Sequence, residues 1–298
     1  MIINQENLAG IYTALSSVFN AAFQGAADAW WRKIATVVPS SGRSMDYKFL
    51  LDFPGMQEWI GDRVVKSLEG KKWEVVNKNW EATIGVKKND IEDDQLGLYN
   101  PIVAALAEEA AFHPNALFAT LISNATGLCF DGHYFFDTDH PVGAGTASNL
   151  DAGAGTAWYL LDVSRAIKPF IFQSRQPVKL NRLDRDQDER VFMRNEYLFG
   201  VDARYEAAYG LWQMAYKSTQ TLNPDNYASA RAAMQVFANS EGRKLGVRPN
   251  LLVVPPSLEA SARELLNNQF IIGDATAGGS KENVWRGTSD LLVVPELA

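Results

Sequence analysis

The same five residues occur twice near the end of this chain, as Leu251-Leu252-Val253-Val254-Pro255 and as Leu291-Leu292-Val293-Val294-Pro295. Nothing else in the sequence constrains the fold as strongly. Unbroken apolar runs of this length, closed by proline, read as strands buried on both faces. Such strands need covering layers, and helical patterns supply them. From about Asp225, Tyr227, Ala230, Met234 and Phe237 share one face, and the pattern stops near Gly242. A second helix from about Ser257 sets Leu258, Ala262 and Leu265 in register. Residues 219–298 therefore predict a layered α/β unit.

The longest helical pattern lies upstream, over about 101–124. Ile102, Leu106 and Ala110 form one stripe, and Leu117, Leu121 and Ile122 continue it beyond His113-Pro114. Pro101 suits a first helical turn, whereas Pro114 predicts a kink or restart. Another helix, Leu8 to Ala22, aligns Leu15, Val18, Phe19 and Ala22, and a strand follows at Ile34 to Val38. Residues 1–45 are too few for a core of their own. They read as an N-terminal arm, with an ordinary first helix of the main domain as the alternative.

From Tyr47 to Lys87 the pattern is extended structure broken by turns. Trp80 to Lys87 alternates apolar and polar residues, as a half-buried strand does, and Lys71 to Val76 reads as its hairpin partner. Strand patterns return at Trp158 to Leu161, Pro169 to Phe172 and Tyr197 to Val201. Gly143 to Ala147 recurs as Gly153 to Ala157, small-residue loop chemistry with no apolar face.

Charge narrows the function. Acids outnumber bases 35 to 28, a formal net charge of −7. General, tight DNA binding draws its affinity from phosphate neutralisation by cations, so this balance argues against it. The single cysteine, Cys129, admits no disulfide within the chain and fits a reducing compartment. Met1 to Glu6 lacks the start of a signal peptide, and no apolar stretch approaches the ~20 residues of a membrane span. Synthesis in the cytoplasm is expected.

Reactive constellations are scarce. His133, Asp137, Asp139 and His140 lie close enough to suggest a divalent metal, but their spacing matches no established ligand pattern, and a turn built on local hydrogen bonds explains it better. The acids Asp90, Glu92, Asp93 and Asp94 lack the glycine and distal glutamate of a calcium loop; ahead of a helix they complement its dipole. Arg182, Asp184, Arg185, Asp186, Asp188, Glu189 and Arg190 mix both signs, as a solvated face or a contact between subunits does. Neither a nucleophile elbow, nor a phosphate loop, nor a dinucleotide fingerprint is present. Cys129 sits among apolar neighbours, the setting of an inert thiol. No catalytic, cofactor-binding or metal residue is assigned, and no cofactor is expected.

Several segments, in order and spacing, carry a resemblance. They are Trp59-Ile60-Gly61-Asp62-Arg63, Phe135-Phe136-Asp137-Thr138-Asp139-His140-Pro141, Tyr159 to Arg165, Lys168 to Gln173, Glu196 to Val201, Gly210 to Ala215 and Lys244 to Pro249. Through them nearly the full chain resembles the major head subunits of Mu-like tailed bacteriophages. The resemblance implies an α+β, Hong Kong 97-like capsid fold. It implies an N-terminal arm at 1–45, an extended loop at 46–88, a peripheral domain with a long spine helix at 89–218 and an axial α/β domain at 219–298. Because the strand-rich block 158–216 precedes the α/β unit, it implies a permuted connection with that block in the peripheral domain.

The function implied is mechanical: pentamers and hexamers tile an icosahedral head, built in the host bacterial cytoplasm, that encloses double-stranded DNA. Partners would be the chain's own copies, a scaffold, a portal and a decoration protein, with weak DNA contact and no membrane. Candidate contacts between subunits are Trp59, Trp73, Trp80, Arg182, Asp184, Arg185, Asp186 and Arg190. Two alternatives are an encapsulin-like cargo shell and a metal-dependent hydrolase using His133, Asp137, Asp139 and His140.

Overall fold

The two Leu-Leu-Val-Val runs lie side by side as parallel strands, with Leu252 opposite Leu291 and Val254 opposite Val293. The computed structural model describes residues 5–26, 29–47, 73–93, 96–185, 188–239, 242–272 and 280–297, and all counts and absences below refer to these.

In chain order the elements begin with α1 (Gln5–Gly25), α2 (Trp31–Ile34), β1 (Ala35–Pro39), β2 (Ser44–Asp46), β3 (Glu74–Val76), β4 (Lys78–Lys87), α3 (Lys88–Glu92) and α4 (Asn100–Ser123). Next come β5 (His140–Val142), β6 (Gly145–Ala147), β7 (Leu150–Asp151), β8 (Trp158–Leu161), β9 (Phe170–Leu183), α5 (Glu189–Arg194), β10 (Glu196–Tyr209) and β11 (Ala215–Ser218). The chain closes with α6 (Pro224–Gln235), β12 (Leu251–Val254), α7 (Glu259–Asn267), β13 (Phe270–Ile272), β14 (Ser280–Glu282) and β15 (Asp290–Val293).

Two larger sheets organise these elements. The first has the order β1-β9-β10-β4 and is built around the antiparallel pair β9–β10, each fourteen residues long. Tyr197, Phe199, Val201, Ala203 and Tyr205 alternate inward along β10 and are buried, the period of a strand with one covered face. The second sheet has the order β15-β12-β8-β11-β7. Every residue of β8 and β12 is buried, as expected of central strands covered on both sides.

Helix α4 bridges two apolar clusters. Its Val103 and Ala107 join α1 residues Leu8, Ile11, Leu15 and Phe19, while Phe118, Ala119 and Ile122 join the main core. In that main core Trp31 stacks on Phe118 at 5.8 Å and packs against Phe172 at 4.3 Å. Burial of each such side chain contributes about 1.5–3 kcal/mol.

Two expectations need correcting. The helix does not break at His113-Pro114 but runs through Pro114, which is buried. Proline there removes one backbone bond, and core packing on both sides of it outweighs that loss. The hairpin expected between Lys71–Val76 and Trp80–Lys87 is absent: β3 pairs with β2, and β4 pairs with β10. The block 158–216 is not one unit. Its ends, β8 and β11, lie in the sheet with β12, whereas β9 and β10 form the other sheet, so the second sheet takes strands from both sides of residue 218. Helix α1 docks its apolar stripe on α4 of the same chain.

Candidate functional site

The mixed-charge run sits where β9 turns into β10. Arg182 Nη1 lies 3.0 Å from Asp184 Oδ2, and the Arg182 guanidinium stands 4.5 Å over the ring of Tyr12 on α1. Asp188 Oδ2 accepts from the backbone N–H of Arg185 at 3.0 Å and leads into α5. Arg182, Asp184 and Arg185 are thus brought together, largely by contacts within their own subunit, and exposed pairs of this kind contribute little. Asp186 lies outside the described residues, as does the side chain of Arg190. What the charge pattern does not reveal is the pair behind it: Phe192 is 85% exposed and Met193 70% exposed. Two adjacent large apolar residues directly after a charged turn are the signal that marks them.

Two of the three candidate tryptophans, Trp73 and Trp80, lie in the described residues. Trp59 lies outside the described residues. Trp73 is partly buried against the main core, and its backbone N–H donates to Asp46 Oδ1 at 3.1 Å. Trp80, on β4, donates from Nε1 to the Tyr205 carbonyl at 3.1 Å and packs 4.3 Å from the His113 ring. His113 Nδ1 in turn lies 2.8 Å from Tyr205 Oη. Both described tryptophans pack within their own subunit because the strands that carry them, or follow them, belong to its sheets.

The histidine–aspartate segment divides into two environments. His133, Asp137 and Asp139 offer ligand atoms within 4.8 Å of one another. His140 is not among them. It is fully buried, with Nδ1 at 2.7 Å from Asp131 Oδ2 and Nε2 at 3.2 Å from Asn149 Oδ1. Burial raises the pKa of Asp137, but the N–H groups of Thr138 and Tyr134, the Asp139 carboxyl and the charge of His140 outweigh it and hold the carboxyl below its ordinary value. Both Asp137 oxygens accept backbone N–H groups of the same turn, Thr138 at 2.7 Å and Tyr134 at 3.1 Å. The turn reading accounts for these contacts. Asp90 accepts from Tyr99 Oη, and Asp94 lies outside the described residues. None of the described helices is long and apolar enough to cross a membrane.

Helix α4 thus joins the apolar cluster around α1 to the main core, which the two sheets share. Over 99% of its length, and all of the other chain, this chain matches the subunit of the procapsid of bacteriophage JBD30, with a TM-score of 0.83 and 38% identity. Against the JBD30 capsid the TM-score is 0.77, at 29% identity over 90% of each chain. The class is therefore that of tailed-phage capsid subunits with the α+β Hong Kong 97-like fold: a structural component of the virion, not an enzyme. The family described as Mu-like prophage major head subunit gpT matches residues 8–297. The major capsid protein of Escherichia phage Mu is 38% identical over alignment of both chains in full, and the Mu-like prophage FluMu major head subunit of Haemophilus influenzae is 38% identical over 83% of this chain and 84% of its own. The chain belongs to the Mu-like prophage major head subunit family, and it is a major capsid protein.

Proposed function

We propose that this major capsid protein assembles into pentamers and hexamers that close an icosahedral head around double-stranded DNA. The observation that carries this reading is the full-length match to a procapsid subunit. Assembly in the host bacterial cytoplasm agrees with a lone, buried cysteine. A scaffold, a portal and a decoration protein complete the proposed partners. For the last, support comes from a JBD30 capsid decorated with minor capsid protein trimers, whose subunit is 30% identical over 90% of each chain with a TM-score of 0.73.

The proposed division of labour gives 1–45 to an N-terminal arm, 46–88 to an extended loop, 89–218 to a peripheral domain and 219–298 to an axial domain. Within that reading, α1 packs on α4 of its own subunit, β4 pairs with β10, and β8 and β11 pair into the sheet with β12. Contact with DNA is proposed to be weak, because the net charge of −7 leaves little to neutralise phosphates.

Negative-stain electron microscopy of the purified chain, alone and co-expressed with its neighbouring genes, tests the reading. Closed shells, or rings of five and six subunits, are expected. A monomer that persists under both conditions would count against it.

A further inference from the structure

Two features of this subunit, an exposed apolar knob and an apolar cavity, have no counterpart among the described residues. The first is the knob at the end of the β9–β10 hairpin, where Phe192 and Met193 stand bare on α5. Contiguous exposed apolar surface of this kind marks a contact site. The second is a cavity of about 190 Å³, partly open to solvent, between α4 and the inner face of the first sheet. Trp80, Leu106, Ala110, His113, Val201 and Tyr205 line it. The polar atoms of those walls are already engaged, His113 Nδ1 with Tyr205 Oη at 2.8 Å and Trp80 Nε1 with the Tyr205 carbonyl at 3.1 Å. An apolar hole remains, with room for roughly six waters at ~30 Å³ each, or for one aromatic side chain.

A subunit's own knob does not fill its own hole. The β10–β4 pairing runs from Glu196 opposite Lys87, beside the knob, to Ala203 opposite Trp80, at the hole. Seven strand residues separate those pairs, about 23 Å at ~3.3 Å per residue. The charges are complementary: Glu109, exposed on α4, borders the hole, and Arg194, exposed, adjoins Met193.

We propose that Phe192, flanked by Met193, seats in the Trp80–His113 cavity of a neighbouring copy of this chain, with Arg194 facing the neighbour's Glu109. Knob and hole are separate patches of one chain, so a contact repeated in one direction is head-to-tail, the kind that generates rings when the rotation closes. The inference rests on the ring assembly proposed above and assigns one of its interfaces.

The test uses the full chain. Cys129 is buried, so Met193→Cys combined with Glu109→Cys supplies the reactive thiols and leaves Phe192 and the apolar walls of the cavity intact. A short bismaleimide applied to assembled particles should give a ladder of dimers and higher oligomers with the double variant and no ladder with either single variant. Independently, Phe192→Ala should cut the yield of closed shells at least tenfold, and Phe192→Leu should restore most of it, while the urea midpoint of the unassembled subunit stays unchanged. Shells that form without a ladder, or a Phe192→Ala variant that assembles as the parent does, would overturn this contact and leave the shell reading intact. A parent chain that forms neither shells nor rings would overturn both.

Discussion

The imidazole of His140 lies parallel to the indole of Trp212, the ring centres 4.0 Å apart and the planes within 8°. Around that stack, Asp131 and Asn149 engage the two ring nitrogens, and Asn149 Nδ2 donates to the Phe135 carbonyl at 2.8 Å. Trp212 meets Phe237 edge-on at 5.3 Å on its way into the main core. The Phe135–Pro141 segment is therefore a clamp that fastens a long loop to both the 212 turn and the second sheet. Its histidine works by position.

Replacing His140 by alanine removes the stack and strands a carboxylate that is only 7% exposed. The expected loss is about 2–3 kcal/mol, the scale for leaving a buried acceptor, Asp131 Oδ2, without its hydrogen-bond partner. Urea unfolding of the unassembled subunit would measure it. A midpoint equal to that of the parent would remove the clamp from this account.

Local pattern makes some elements legible and hides others. β12 and β15 are plain because every side chain in the two Leu-Leu-Val-Val runs is apolar; β12 is buried on both faces, whereas β15, at the sheet edge, buries only Leu292 of its four residues. β9 shows only its apolar end, since Arg175, Lys179 and Arg182 interrupt the pattern where one sheet face is open, and Gln173 interrupts it as a buried polar residue bonded to Tyr47 and Asn77. Pairing is less legible still: β3 and β4 are adjacent in the chain, yet each finds its partner elsewhere, a decision made by tertiary packing. The same limit applies to side chains. His133 and His140 are seven residues apart, but the turn sends one to the surface and the other into the core. Phe192 looks like an interior residue until the hairpin shows that its helix has nothing to cover it.

His113 gives the subunit a pH dependence. Burial lowers its pKa, against the opposing pull of Glu109 and Glu206, from an ordinary value of 6.5. The unfolded chain therefore takes up a proton at higher pH than the folded one. Stability from this group is full above the unfolded value and is lost as pH falls through 6.5 toward the folded one. The urea midpoint should drop between about pH 7.5 and pH 5.5, and His113→Gln should flatten that drop. Equal pH profiles for the two proteins would contradict the assignment.

Cys129 should be chemically silent. Its side chain is 2% exposed, and burial, with the charge of Asp131 added, pushes the thiol well above its ordinary value. Only the thiolate attacks disulfide reagents. At pH 8 the folded subunit should fail to reduce Ellman's reagent, and in urea it should release one equivalent per chain. Prompt reaction of the native protein would mean that the loop over Cys129 opens readily.

Trp80 separates a role inside the subunit from a role between subunits. Its indole is held by one hydrogen bond to the Tyr205 carbonyl and by the His113 ring, so alanine should cost the isolated subunit about 2 kcal/mol, less than a fully buried tryptophan because Trp80 is half-buried. Phenylalanine keeps much of the packing and loses the hydrogen bond, for about 1 kcal/mol. A residue reserved for a neighbour would behave the other way, with an unchanged urea midpoint and a lost shell. Because Trp80 also walls the cavity, Trp80→Ala widens the proposed seat of Phe192 and should lower shell yield beyond what its stability loss explains. Comparing it with a core variant of equal stability loss, such as Ile122→Val or Ile122→Ala, isolates that excess. If the matched variants assemble equally well, Trp80 stabilises only its own subunit.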